Sequence, residues 1–149
     1  MALLADTNVV ARWALPNDPQ YAMIRQALFA LQAQREIVYI TPQVLVEFHA
    51  LATRPVEANG LGWTAADARS EAHKMEAVFP LLPEIDTIYP LWSAIVDAYG
   101  VVGRQVYDAR LVAVMQAHGI NRILTMNGKH FRNFSGIQVI DPQSLIPTP

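Results

Sequence analysis

Cysteine is absent from the 149 residues. That excludes disulfide staples and thiolate metal sites, and it is compatible with a reducing compartment, the cytoplasm being the expectation. Charge is also sparse. Asp, Glu, Lys and Arg make up 16% of the chain against 52% apolar residues, the reverse of the balance found in disordered segments, so a packed core is expected. No apolar run approaches the ~18 residues that span a bilayer. The opening Met1-Ala2-Leu3-Leu4-Ala5-Asp6 lacks the basic start of a secretory signal and reaches an acid too soon. Nor is there surplus positive charge: a net charge of −2 argues against a protein that wraps nucleic acid by charge alone. No internal repeat or low-complexity segment interrupts the chain. One domain over residues 1–149 is expected, with a proline-rich tail, 142–149, trailing across its surface.

The charge that is present is unevenly placed. Between residues 104 and 132 stand Arg104, Arg110, Arg122, Lys129 and Arg132 against the single acid Asp108. Such a stretch is either a solvated helix face followed by a basic loop or a phosphate-binding rim beside an acidic site.

Short apolar runs separated by helical patterns predict an α/β fold, an α/β/α sandwich around a mainly parallel sheet of about five strands. The expected strands are residues 2–5, 37–40, 78–82, 122–125 and 137–140. Helices are expected from about 9–15, 22–35, 42–53, 64–77, 88–99 and 106–118, with Thr41 and Thr64 as caps and Pro42 at a first helical position. Ligands in such sheets gather beyond the carboxyl ends of the strands. That singles out Asp6-Thr7-Asn8, Thr41-Pro42, Pro83-Glu84 and Thr125-Met126-Asn127.

Three acids stand in apolar surroundings: Asp6 after the first strand, Glu47 within Val44-Leu45-Val46-Glu47-Phe48, and Asp108 near the start of the 106–118 helix. Each has an ordinary explanation. Asp6 caps a helix, Glu47 lies on a helix edge, and Asp108 complements a helix dipole. Taken together they point to a shared site, and close carboxylates need a cation to remain ionised at neutral pH. A donor set of oxygens alone suits Mg²⁺ or Mn²⁺ better than zinc. Of the histidines, His49, His73 and His118 lack metal-ligand spacing, and only His130, beside Lys129, lies where it can reach the site.

The blocks Leu3-Leu4-Ala5-Asp6-Thr7-Asn8, Thr41-Pro42-Gln43-Val44-Leu45-Val46-Glu47-Phe48, Gly103-Arg104-Gln105-Val106-Tyr107-Asp108-Ala109-Arg110-Leu111 and Ile123-Leu124-Thr125-Met126-Asn127-Gly128-Lys129-His130-Phe131 occur in register along nearly the whole chain. Together they resemble the PIN-domain ribonucleases of the VapC toxin type. The resemblance implies a metal-dependent endoribonuclease that hydrolyses RNA phosphodiester bonds, the toxin of a toxin–antitoxin pair. Asp6, Glu47 and Asp108 match the family's catalytic, metal-ligating acids, and Thr7, Asn8 and Thr125 match positions that support them. Asn127 stands near where the family places a fourth acid, and its carbonyl oxygen can still ligate a hard cation without adding charge. Tyr107 replaces a histidine common in relatives. Arg104, Arg110 and Lys129 are expected to hold flanking RNA phosphates. A small antitoxin that blocks the acidic site and a homodimer are implied, and no membrane partner.

Two other classes remain open on the sequence. A non-catalytic PIN-like module that binds RNA or protein is compatible with Asn127, and it would be indifferent to metal. A phosphotransfer enzyme with Asp6 as nucleophile would want a second acid two residues on, where Asn8 stands.

Overall fold

The computed structural model describes residues 1–148. Four strands, β1 (Ala2–Ala5), β2 (Ile37–Tyr39), β3 (Arg122–Leu124) and β4 (Gln138–Ile140), form one sheet in the order β2-β1-β3-β4. Every pairing is parallel, with Leu3 opposite Val38, Ala5 opposite Leu124, and Ile123 opposite Val139. Leu3, Leu4 and Ala5 are all 0% exposed. Successive strand side chains point to opposite faces, so both faces of β1 are covered and the architecture is a helix–sheet–helix sandwich.

Among the described residues six α-helices surround the sheet: α1 (Thr7–Trp13), α2 (Tyr21–Ala33), α3 (Pro42–Thr53), α4 (Ala65–Val78), α5 (Ile88–Tyr99) and α6 (Gln105–Ala117). The Thr41 hydroxyl caps α3 by accepting from Val44 N at 3.1 Å, with Pro42 at the first position. Thr64 caps α4 in the same way through Asp67 N. α5 stops at Gly100, whose φ of +61° is open to glycine at no steric cost. α5 packs on α6, α3 on α4, and α1 on both α2 and α3. Phe48, Phe131, Ile24, Met75 and Met115 lie at the centre of the core. Among the described residues no helix is long and apolar enough to cross a membrane.

Two expectations need correction. Residues 78–82 do not form a fifth strand: α4 runs to Val78, and Ile40 and Leu81 make one isolated parallel bridge. Ile40 N donates to Pro80 O at 3.0 Å and Leu82 N to Ile40 O at 2.8 Å. The flanking Pro80 and Pro83 have no N–H with which to extend the ladder. The expected tail is docked at its start rather than trailing. Pro142–Leu145 form a 3₁₀ turn against α2 with Pro142 buried, and Asp141 caps the turn through Gln143 N. Its last residue, Pro149, lies outside the described residues.

With β2 on one side of β1 and β3 on the other, the order reverses between β1 and β3. That crevice, at the carboxyl ends of the strands, is where open α/β sheets hold ligands. Asp6 leaves β1 and Thr125 leaves β3 directly above it.

Candidate active site

Asp6 is 8% exposed and held from every side. Its backbone N–H donates to Leu124 O at 3.0 Å, tying the end of β1 to β3. One carboxylate oxygen, Oδ1, accepts from Thr7 N at 2.7 Å, so Asp6 does cap α1. Oδ2 accepts from the Thr125 hydroxyl at 2.8 Å and from Asn8 Nδ2 at 3.3 Å. The buried Thr125 hydroxyl also accepts from Asn127 N at 3.0 Å and lies 3.3 Å from Asn8 Nδ2. Asn8 Oδ1 takes the Met126 N–H at 3.2 Å. Thr7, Asn8 and Thr125, expected to support the site, thus lock the carboxyl ends of β1 and β3 around one carboxylate.

Glu47 projects from α3 and is fixed at both oxygens. Thr7 Oγ1 donates to Oε2 at 2.6 Å, and Gln43 Nε2 to Oε1 at 2.9 Å. Gln43, one helical turn before Glu47, was not singled out by the sequence reading. Its buried amide also donates to Tyr107 O at 2.8 Å, while its carbonyl accepts from Arg110 Nη1 at 3.1 Å. These partners fix which end of the amide is nitrogen. The signal available was its spacing of four from Glu47, which places the two side chains on one helix face.

Asp108 sits in the first turn of α6, half-buried, with Oδ2 3.6 Å from Nδ1 of His130. Burial, then the charge of Asp6, holds its carboxyl up at about 6, with Glu47 adding and His130 opposing. Asp6 is likewise raised, chiefly by burial and further by Glu47, against the hydrogen bonds from Thr125 and Thr7. Both carboxyls therefore feel Glu47 across the crevice, and Asp108 feels Asp6 as well.

The basic residues divide. The Arg110 guanidinium, expected at an RNA phosphate, is engaged by Glu84 at 2.8 and 3.3 Å and by Gln43. It braces the Gln43–Glu47 pair through contacts made within the protein. Arg104 and Lys129 are exposed, and neither forms an ion pair among the described residues. Asn127 is exposed, with no hydrogen bond from its side chain among the described residues.

Among the described residues, no three His, Asp or Glu side chains stand close enough together to cage an ion as placed. The chemistry of the donor set nonetheless fits a hard divalent cation. Asp6, Glu47 and Asp108 offer only oxygens, and two of the three are pushed toward protonation by burial and mutual repulsion, which a cation relieves.

The raised Asp108 carboxyl has a consequence for stability. A carboxyl whose folded value lies above its unfolded ~3.9 adds stability below that value and loses it as pH rises through about 6. In EDTA, Asp108→Asn is expected to melt above the wild type at pH 7 and level with it at pH 4. Thermal melts at the two pH values check this, and a variant that melts lower at pH 7 would show that no charge strain is stored there.

A family model described as PIN domain matches residues 3–137. Ribonuclease VapC48 of Mycobacterium tuberculosis is 38% identical over 61 residues, 41% of this chain and 41% of that protein. The chain thus spans less than half the length of the curated relatives it matches. Among solved structures, VapBC2 from Rickettsia felis bound to a promoter DNA fragment superposes with a TM-score of 0.69 at 13% identity, over 94% of this chain and 98% of that one. VapBC-1 from nontypeable Haemophilus influenzae gives 0.65 at 15% identity, over 95% and 98%. M. tuberculosis VapC20, described as a toxin that cleaves the sarcin-ricin loop, gives 0.58 at 19% identity, over 86% and 92%. At these identities the likeness is one of fold.

Proposed function

The chain belongs to the PIN-domain family, and from that premise we propose that it is a divalent-metal-dependent endoribonuclease, the toxin of a toxin–antitoxin pair. The observation that carries the reading is the placing of three acids where the strand order reverses, with Thr7 bridging Asp6 and Glu47 through its N–H and hydroxyl and with Asp6 and Asp108 under electrostatic pressure from their neighbours. Such pressure marks carboxylates arranged for a task rather than for stability. Asp6, Glu47 and Asp108 would hold Mg²⁺ or Mn²⁺, with the Asn127 carbonyl oxygen as a further neutral donor. When bound, such an ion polarises the scissile phosphate and eases deprotonation of the attacking water.

The remaining work falls to the chain's own residues. Thr7 and Gln43 hold the Glu47 carboxylate in one orientation, and each of its oxygens keeps a second lone pair free to orient a water and take its proton. Thr125 and Asn8 keep Asp6 from rotating out of the crevice. Arg104 and Lys129 are free to meet phosphates on either side of the cleaved bond. The VapBC assemblies among the structural relatives support a small antitoxin as partner. The exposed apolar Val46 and Val102 and the exposed Tyr107 are compatible with a homodimer. A cytoplasmic place of action belongs to the same reading.

The test is cleavage of a 5′-labelled RNA with Mg²⁺, Mn²⁺ or EDTA. Cleavage that needs the metal supports the reading. Metal-indifferent RNA binding without cleavage would favour the non-catalytic module that Asn127 allows. Metal binding has a second readout. A ligand at a hundredfold its dissociation constant adds about 2.7 kcal/mol, roughly 5–10 °C of melting temperature in a domain of this size. Saturating Mg²⁺ is expected to raise the melting temperature on that scale at pH 7 and less at pH 5, where Asp108 keeps its proton. An equal rise in Asp6→Asn would place the ion elsewhere.

A further inference from the structure

Beside the acidic centre lies a cleft of about 320 Å³, lined by Thr125, Asn127, Gly128, Lys129, Arg132 and Asp141 among others. Its volume is at the lower end of small-molecule sites, ~300–1,000 Å³. We propose that this cleft is a ribonucleotide subsite, taking the nucleotide next to the cleaved bond, with Lys129 and Arg132 on its phosphate and Asp141 on its ribose 2′-hydroxyl. The assignment rests on the ribonuclease reading and adds to it a place and a sugar preference.

Four features of the cleft carry it. It shares the Thr125 wall with the acidic centre, since the Thr125 hydroxyl donates to Asp6 Oδ2 at 2.8 Å. A strand crossing Asp6 therefore lays its neighbouring nucleotide into the cleft. Its two cations, Lys129 and Arg132, form no ion pair among the described residues. They give a point charge and a planar fork, both suited to phosphate oxygens. Gly128 admits nothing larger: a Cβ there would meet Val139 Cγ1 at 2.8 Å and Arg132 Nη2 at 3.0 Å, so the guanidinium lies against bare backbone. Finally, Asp141 follows β4 and uses Oδ1 on Gln143 N at 2.9 Å, leaving Oδ2 without a partner among the described residues. An acceptor beside two phosphate-holding cations matches a sugar hydroxyl, and the 2′-hydroxyl is the group by which proteins tell RNA from DNA. The sequence showed Arg132 only as one charge of the basic stretch 104–132 and did not single out Asp141, because nothing local marks them as neighbours.

The experiment titrates adenosine 3′,5′-bisphosphate into the ¹⁵N-labelled full-length chain in EDTA, with the 2′-deoxy compound and inorganic phosphate in parallel. Saturable shifts at the amides of Asn127, Gly128, Lys129 and Asp141 are expected. The ribose compound should bind at least threefold more tightly than the deoxy one. Arg132→Ala should weaken both at least tenfold, and Asp141→Ala should erase the ribose preference, with other spectral changes confined to the 142–145 turn that Asp141 caps. Shifts elsewhere, or none, would overturn the subsite. Equal affinity for the two sugars would overturn the role of Asp141, and phosphate binding as tightly as the bisphosphates would reduce the cleft to an anion site. Because EDTA suppresses cleavage, the two readings separate: a filled cleft in a protein that never cleaves RNA condemns only the nuclease reading, and cleavage with an unperturbed cleft condemns only the subsite.

Discussion

Asp6→Asn is expected to lower RNA cleavage at least a thousandfold, about 4 kcal/mol of transition-state stabilisation, while the chain stays folded. The amide keeps the shape of the carboxylate and still offers one oxygen to Thr7 N, so the α1 cap survives. What disappears is a negative charge at the point where β1 and β3 diverge, the place best situated to hold a cation against a phosphodiester. Asp108→Asn should fall by a similar factor. The double variant should be little worse than the weaker single one, because residues acting as a unit do not add. End-labelled RNA in Mg²⁺, with circular dichroism on each variant, checks this. Asp6→Asn retaining more than a tenth of wild-type cleavage would remove Asp6 from the centre.

Thr125→Val carries the second large effect. Valine matches threonine in shape, so the substitution leaves the packing around β3 intact and deletes one hydroxyl. That hydroxyl is buried and serves Asp6 Oδ2, Asn127 N and Asn8 Nδ2 together. Losing it leaves Asp6 Oδ2 with only the longer 3.3 Å bond from Asn8 and leaves Asn127 N without its acceptor, losses of about 1–3 kcal/mol each. A stability loss of about 2–4 kcal/mol is expected, with cleavage falling roughly tenfold to a hundredfold as Asp6 loses its alignment. Thr125→Ser, which restores the hydroxyl, should recover most of both. Denaturant melts read the first effect and cleavage rates the second. A valine variant as stable as the wild type would mean that the three-way bond does not form in solution.

The legible parts of the fold were those whose signals are local. The apolar run Leu3-Leu4-Ala5 became β1, the Thr41–Pro42 start became α3, and Gly100 closed α5, because burial, capping and left-handed backbone write themselves into adjacent residues. Residues 78–82 misled because an apolar run reads alike in a strand or in a helix end, and Pro80 decided the matter through a missing N–H. At the site, Asp6, Glu47 and Asp108 stood out as acids in apolar settings, and Thr7 and Asn8 by following the carboxyl end of the first strand. Arg110 did not reveal its part. Its partner Glu84 is 26 residues away, and a sequence displays a free cation and an engaged one identically. Gln43 and Asp141 went unnoticed for the same reason, and Arg132 showed only as one more charge in a basic stretch: what they do depends on chain segments that meet only in three dimensions.

The bond from Thr125 to Asp6 spans 119 positions of the chain. A ribosome delivers Asp6, Thr7 and Glu47 early and the strand that fixes Asp6 late. β1 can find β2, which lies close behind it in sequence, while its other edge stays open. Until Leu124 emerges, the Asp6 N–H lacks its acceptor, and until Thr125 follows, the carboxylate lacks its clamp. Distant pairings of this kind also form slowly, since loop closure precedes any gain from contact. Competence is thus the last property the nascent polypeptide acquires. A chain halted before residue 122 holds Glu47 in place but leaves Asp6 unclamped, so on the proposed reading fragments and half-made copies are expected to spare the RNA around them.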